Sequence, residues 1–373
     1  MGKLADLFYR WKESKRFLGK GESDLDNISK LIPNREAWEK RKEIIRNGIL
    51  RGANLDPLPE KTPLHPVIHS SREYEGYKVE NVYFESIPGF YVTGSLYQPL
   101  DPPKSLPLLL KPHGHLKNKR YKEDNQTLSA MFARMGVRVF TWDMIGYADS
   151  TQVKHKISSA CTLQTWNSTR SLDFLLSSPK GDPERLGMTG GSGGGTQTFL
   201  LTAIDERVKF SAPTVMVSSF FFGGCVCESG LPIHKGKEYK TNNAEIAAMA
   251  APRPMLITSV GTDWTRFVPK VEFPFIKNIY CFYDAEDKVE NAHFPDETHN
   301  YGPSKRQAAY EFFGKYFNLN LDRFRNSDGK IDESPITLEP VSKLKVFNEE
   351  HPRPENALES EENILKTLKS LQK

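Results

Sequence analysis

Hydrophobic residues recur at two different periods along the chain, and the change of period separates two kinds of segment. Residues 36–50 carry Trp38 and three isoleucines at broadly helical spacing among Lys, Arg and Glu, which predicts an amphipathic helix. A proline-marked connector follows and cannot be helical. Segments 77–86 and 89–100 then alternate apolar and polar residues, which predicts two strands joined by a turn.

From residue 106 onward, short apolar runs alternate with helical segments. The runs lie at 106–112, 137–143, 184–190, 208–219, 254–261 and 288–294. This alternation predicts an α/β fold with a mainly parallel central sheet and helices on both faces. We therefore divide the chain into an N-terminal helical extension and connector (1–75), an α/β catalytic domain (76–324) and a polar, proline-bearing C-terminal surface extension (325–373).

Charge and hydropathy exclude several classes of partner. Lys and Arg number 51 against 47 Asp and Glu, a net charge of +4 that is too small and too evenly spread to predict nucleic-acid binding. No stretch approaches the 18 apolar residues of a membrane span. The first twenty residues are too charged for a signal peptide, so we expect either a cytoplasmic protein or, if a leader was removed, a periplasmic or secreted one, and the sequence does not decide between them. The oligomeric state is left open.

The four cysteines do not predict a disulfide scaffold or a metal site. Cys225 and Cys227 are separated by one residue, and no histidine stands near them at zinc-finger spacing. We expect idle or buried thiols, with one bridge between two of them left open. No metal and no organic cofactor is predicted.

Residues 188–198, which read MTGGSGGGTQT, contain the most informative motif. No lysine follows the glycines, as a phosphate-binding loop requires, and the G-x-G-x-x-G spacing fails. A predicted strand before the run and a helix after it argue against a flexible linker. The run does match G-x-S-x-G centred on Ser192, a strand–turn–helix motif that holds a nucleophilic serine above a sheet. The motif does not require glycine at positions 191 and 195, and we predict that Gly191 and Gly195 leave room above Ser192 for a bulky ester.

A serine nucleophile needs a histidine base, which in this type of turn follows the acid in chain order. His299 lies in the loop FPDETHNYG after the last predicted strand and is the predicted base. His293 falls within that strand and is expected to pack there. His234 and His351 are expected at the surface.

The acid and the oxyanion donors are predicted from strand ends. Asp263 follows the 254–261 strand and is the predicted acid, because the carboxyl end of a parallel strand faces the ligand crevice. Glu228, which follows the preceding strand, is the alternative acid. The backbone N–H of Gly193 should stabilise the oxyanion together with the loop containing Gly114 and His115.

Seven blocks of sequence, in order over about residues 30–320, resemble one family. They are NREAWEKRKEIIRNGIL, LDPLPEKTPLHP, ESIPGFYVTGSLYQP, KPHGH, GGSGGGTQT, APRPMLITSVGTDWT and FPDETHNYG. Together they resemble the acetyl xylan esterase-like branch of the α/β-hydrolases, to which the glucuronoyl esterases are related.

The resemblance implies an α/β-hydrolase fold, a Ser192–Asp263–His299 triad and removal of acetyl groups from a carbohydrate such as xylan. Some glucuronoyl esterases place the acid at a position like that of Glu228. The expected partner is a small-molecule or polysaccharide ester, with Trp264 and Arg266 as candidate substrate-binding residues. Alternatives are a glucuronoyl esterase-like or serine peptidase activity, or a non-catalytic carbohydrate-binding homologue.

Overall fold

Nine strands form one sheet in the computed structural model, which describes residues 18–115, 119–228, 232–236 and 239–373. In chain order they are β1 (Val67–Tyr74), β2 (Tyr77–Ile87), β3 (Phe90–Pro99), β4 (Leu106–Leu110), β5 (Arg138–Trp142), β6 (Gly181–Gly191), β7 (Phe210–Thr214), β8 (Met255–Val260) and β9 (Val289–Phe294). Their spatial order is β1-β2-β3-β5-β4-β6-β7-β8-β9. The pairs from β1 to β5 are antiparallel, and those from β5 through β4 to β9 are parallel. The predicted mainly parallel sheet is confirmed.

Helices cover both faces of this sheet. They are α1 (residues 18–31), α2 (Arg35–Gly52), α3 (Glu123–Arg134), α4 (Ala160–Leu176), α5 (Gly193–Ile204), α6 (Asn243–Ala248), α7 (Glu272–Cys281), α8 (Pro303–Phe317), α9 (Val341–Leu344) and α10 (Glu361–Ser370). Alternate residues of a strand face opposite sides. Leu109 of β4 accordingly packs in a cluster with side chains of α3 and α8, whereas Leu108 and Leu110 pack with α4. None of the described helices is long and apolar enough to cross a membrane.

The predicted N-terminal helix is α2, and it packs against the central domain. Trp38 and Ile45 are fully buried, as the periodicity predicts, whereas Ile44 is 41% exposed. Arg41, which the charge pattern placed on the polar face, is buried and makes a bidentate ion pair with Glu245 at 2.7 and 2.9 Å. A buried cation with a fully paired carboxylate fixes α2 to α6.

Both terminal regions contribute to the central structure. The strand β1 lies within residues 1–75, so the sheet begins before the expected connector ends. In the C-terminal region, Leu344 and Ile364 are fully buried, and Glu339 accepts hydrogen bonds from Arg72 and Tyr74 of β1. The extension thus packs against the antiparallel end of the sheet.

Candidate active site

Ser192 occupies a sharp turn between β6 and α5. Its backbone has φ 57° and ψ −123°, a conformation that costs energy for a residue with a side chain. The surrounding structure holds it there, because the Ser192 N–H donates to the Thr214 carbonyl of β7 and the Ser192 carbonyl accepts from Thr196 in α5. The turn is the strand–turn–helix geometry predicted for a serine nucleophile.

Close packing explains the glycines after Ser192. A Cβ at Gly193 would lie 2.6 Å from His115 Cε1 and 2.8 Å from Glu228 Oε1. At Gly195 it would lie 2.8 Å from Met216 Cβ and 3.0 Å from the Thr214 carbonyl oxygen. Gly195 therefore lets α5 approach β7, and the space it leaves lies against the sheet rather than above Ser192.

Asp263 and His299 meet at the carboxyl ends of β8 and β9. His299 Nδ1 lies 2.7 Å from Asp263 Oδ2, and the Asp263 side chain is only 4% exposed. The other oxygen, Oδ1, accepts from the N–H and the hydroxyl of Thr265, both at 2.6 Å. With Oδ1 held in this way, Oδ2 is fixed toward the imidazole, which leaves Nε2 as the ring nitrogen available for proton transfer.

Glu228, the alternative acid, faces a different histidine. Its Oε2 lies 3.6 Å from His115 Nδ1, and its Oε1 accepts from the Thr196 hydroxyl at 3.2 Å. Burial raises the pKa of Glu228 to about 7. The position predicted for a triad acid, in contact with His299, is thus taken by Asp263.

The predicted oxyanion residues lie directly beside Ser192. A Cβ on Gly114 would be 2.6 Å from the Gly191 carbonyl oxygen and 3.0 Å from Ser192 Cβ, so this loop rests on the serine turn. Gly193 is the first residue of α5, where backbone N–H groups point outward and the helix dipole favours negative charge. His113 packs beneath the loop, where burial lowers its pKa to about 3 and its neutral ring accepts from the Met144 N–H at 3.0 Å.

Two cavities of very different size open at Ser192. The larger has a volume of about 860 Å³, and its lining includes Tyr147, Lys156, Glu228 and Trp264. The smaller, about 20 Å³, lies between Ser192, His299 and Tyr301. The first volume suits a sugar-sized ligand, whereas the second holds only one or two heavy atoms.

The two predicted substrate-binding residues differ in position. The Trp264 ring lies against His299 with centroids 4.5 Å apart and the ring planes inclined at 49°, and it lines the large cavity. The Arg266 guanidinium lies over Phe267, 5.3 Å from the ring centroid, and does not line that cavity. Trp264 therefore fits the prediction of a substrate wall better than Arg266.

Of the other histidines, His293 lies where it was expected and His234 does not. His293 packs in β9 against the Ser259 hydroxyl at 2.8 Å. His234 was expected at the surface, but it is buried and bonds Asn243 Oδ1 at 2.7 Å. The short turn that carries it, Pro232–His234, places Ile233 and His234 in the interior.

The structure also gathers a cluster that sequence spacing missed. His115, His155, Cys225 and Cys227 place one ligand-type atom each within 4.8 Å of one another, at the wall of the large cavity. The prediction that these thiols are idle rested on the lack of a nearby histidine in sequence. The two histidines come instead from the loops after β4 and β5, and the Cys-X-Cys pair was the one signal available.

The sheet order, the serine turn and the acid–histidine pair are those of a serine hydrolase of the α/β-hydrolase fold. No protein-family model matches the sequence, and a search of curated proteins finds no match. Among solved structures, the chain is 39% identical to methylesterase BT1017, with a TM-score of 0.85, covering 95% of this chain and 80% of that one. The chain belongs to the same family as this methylesterase.

More distant structures share the fold. A glucuronoyl esterase from Solibacter usitatus is 15% identical with a TM-score of 0.55, covering 76% of this chain and 94% of that one. A Bacteroides fragilis protein assigned as an acetyl xylan esterase is 14% identical with a TM-score of 0.56, covering 80% and 86%. The α/β-hydrolase fold and the esterase class implied by the sequence resemblance are confirmed.

Proposed function

We propose that this protein hydrolyses the methyl ester of a sugar acid through an acyl-enzyme on Ser192. The observation that carries the proposal is the unequal pair of cavities at Ser192, of about 860 and 20 Å³, with His299 lining the smaller. The 39% identical relative is a methylesterase, which supports the same choice.

The proposed reaction has two displacements. Ser192 Oγ attacks the ester carbonyl while His299 Nε2 takes its proton, and the Asp263 carboxylate stabilises the imidazolium. The oxyanion accepts from the Gly193 N–H and from the backbone of the Gly114–His115 loop. His299 then protonates the departing methoxide, giving methanol, and activates the water that hydrolyses the acyl-enzyme to the free acid.

The position of His299 orients the substrate. Because His299 protonates the leaving group, the alcohol must depart from the side that His299 lines. The recess there, bounded by Tyr301, has room for one or two heavy atoms, which suits methanol. The acyl part must then occupy the large cavity, which suits a sugar acid. A sugar acetate would have to bind in the opposite sense, with its bulky alcohol against the recess.

The large cavity offers contacts that sugars use. The Trp264 ring lines the cavity and presents an apolar face on which a sugar ring can pack. Lys156 and Tyr147 line the same cavity, and side chains of these types can donate to hydroxyl or carboxylate oxygens. These donors support binding of an oxygen-rich acyl group.

The test compares two products from two substrate classes. The enzyme is given methyl esters of glucuronic and galacturonic acid, free and in oligosaccharides, and separately acetylated xylan. Released methanol and acetate are measured, with Ser192→Ala as the control for both. We expect methanol release that Ser192→Ala abolishes. Faster acetate release would overturn the methyl-ester proposal in favour of deacetylation, and equal release by Ser192→Ala would overturn the role of the serine.

A further inference from the structure

Four side chains of types that can bind a metal converge from three loops beside the large cavity, which three of them line. His115 follows β4, His155 lies between β5 and α4, and Cys225 and Cys227 lie between β7 and α6. His115 Nε2 is 3.1 Å from His155 Nε2 and 3.1 Å from Cys227 Sγ. His155 Nε2 is 3.0 Å from Cys225 Sγ and 3.4 Å from Cys227 Sγ.

The outer nitrogen of His155 is hydrogen-bonded in the manner typical of metal-bound histidines, and that of His115 faces a carboxylate. His155 Nδ1 donates to the Ile145 carbonyl at 2.8 Å, since a carbonyl can only accept. His115 Nδ1 faces the Glu228 carboxylate at 3.6 Å. A backbone carbonyl or a carboxylate on the far nitrogen fixes the tautomer and turns the other nitrogen, here Nε2, toward a metal.

This arrangement places two hydrogen-bond acceptors, the Nε2 atoms of the two histidines, face to face. With both Nδ1 atoms protonated, the two Nε2 lone pairs face each other at 3.1 Å. Only the weak donors Cys225 and Cys227 stand beside them among the described residues. A cation at the centre would accept electron pairs from both nitrogens and both sulfurs at once.

We propose that His115, His155, Cys225 and Cys227 bind one Zn²⁺ ion in a tetrahedral His₂Cys₂ site. Ideal zinc–nitrogen and zinc–sulfur bonds give ligand–ligand edges of about 3.3–3.8 Å. The four close pairs span 3.0 to 3.4 Å and all pairs lie within 4.8 Å, so shifts of a few tenths of an ångström in most of them complete the site. Binding replaces the two thiol protons, which are released to solvent.

Four protein ligands close the coordination sphere, which is typical of a structural zinc. The ion would tie the loops after β4, β5 and β7 together. His115, which it would hold, lies against Gly193 beside the nucleophile. The proposed ion thus cross-links the loops that form the wall of the substrate cavity. Whether it binds does not depend on which ester the enzyme cleaves.

The experiment measures the metal without any substrate. The full chain is purified with its tag removed, kept reduced, loaded with Zn²⁺ and dialysed into metal-free buffer. We expect about one zinc per chain by mass spectrometry. Replacement by Co²⁺ should give the visible bands of a tetrahedral site and a thiolate-to-cobalt charge-transfer band. Chelation should lower the melting temperature, and zinc should restore it.

Matched variants assign the ligands. Cys225→Ser and His155→Gln should each lose at least about four fifths of the zinc and the cobalt bands, because a closed site needs all four ligands. Cys281→Ser, which removes an exposed thiol at the end of α7, should keep both. Wild-type protein with less than about a tenth of an equivalent of zinc and no cobalt bands would overturn the proposal. Should the variants fail to fold, the wild-type zinc content and cobalt spectrum still decide.

Discussion

The Nδ1 atom of His299 lies 2.7 Å from the Oδ2 atom of Asp263, and Thr265 holds the other oxygen of that carboxylate. Asp263→Asn should therefore lower kcat by roughly 10³–10⁴-fold, because an amide turned toward Nδ1 favours the wrong imidazole tautomer and cannot stabilise the imidazolium. Steady-state hydrolysis of a methyl ester measures the loss, and far-ultraviolet circular dichroism checks that the fold is retained.

Glu228→Gln is the matched control, since Glu228 is the other carboxylate beside the serine turn. It faces His115 at 3.6 Å instead of His299. We expect its loss in kcat to be at least tenfold smaller than that of Asp263→Asn. The reverse order of the two effects would move the acid role to Glu228.

Gly193→Ala should impair catalysis more than folding. Its new Cβ would lie 2.6 Å from His115 Cε1 and 2.8 Å from Glu228 Oε1, so either the loop or the first turn of α5 must shift. Both elements carry the backbone donors proposed for the oxyanion, and displacement of one donor costs about 10²–10³-fold in kcat. The comparison of kcat with KM separates this from weaker binding, since KM should change much less.

Gly191→Ala provides the control within the same glycine run. The three atoms nearest to a Cβ there would all belong to Tyr301, the closest at an ordinary contact distance of 3.5 Å. Gly191 also lines the small recess, so its added methyl group should narrow the site of the departing methanol, but with the oxyanion donors left in place we expect a smaller loss in kcat than for Gly193→Ala. Equal losses would mean that the whole turn, and not the Gly193 position, is sensitive to an added methyl group.

Arg41→Met should strongly destabilise the fold. The substitution leaves Glu245, a fully buried carboxylate, without its bidentate partner. Breaking such a buried pair costs about 3–5 kcal/mol in the free energy of unfolding. Lys40→Met, one position earlier in α2, removes a cation that is 73% exposed and should leave stability nearly unchanged. Urea unfolding of both variants tests the contrast, and similar losses would contradict it.

The sequence could predict that Ser192, Asp263 and His299 each follow a strand, because strands depend on local pattern. All three follow apolar runs that predict strands, and parallel strands bring their carboxyl ends to one edge of the sheet. The choice between Asp263 and Glu228 depended on how two loops fold, which periodicity does not determine. It is the 2.7 Å contact with His299 that distinguishes them in the structure.

Contacts between distant segments could not be predicted from the sequence either, because periodicity does not determine which loops meet. Arg41 reads as one more charge on a polar face until α6 brings Glu245 to it. Cys225 and Cys227 read as idle thiols until two other loops bring His115 and His155 against them. Gly195 was predicted to make room for substrate, yet its close neighbour is β7. In each case the deciding contact joins residues that lie far apart in the chain.

Lys111, directly after β4, should make stability depend on pH. It is 1% exposed, its ammonium donates to Asn125 Oδ1, and burial lowers its pKa to about 7 from 10.5. Between pH 7 and 10.5 the unfolded lysine is protonated and the folded one neutral, so the unfolded state binds more protons and stability rises with pH. Below pH 7 both states are protonated and the burial penalty is constant.

Lys111→Met removes this titration. The free energy of unfolding of the variant should therefore exceed that of the wild type most at pH 6–7, and this difference should shrink steadily as the pH approaches 10. Urea unfolding of both proteins at pH 6, 8 and 9.5 measures the difference in the free energy of unfolding. A difference that stays constant across this range would show that the folded lysine keeps its proton, held by Asn125 and by the Tyr301 ring 5.4 Å away.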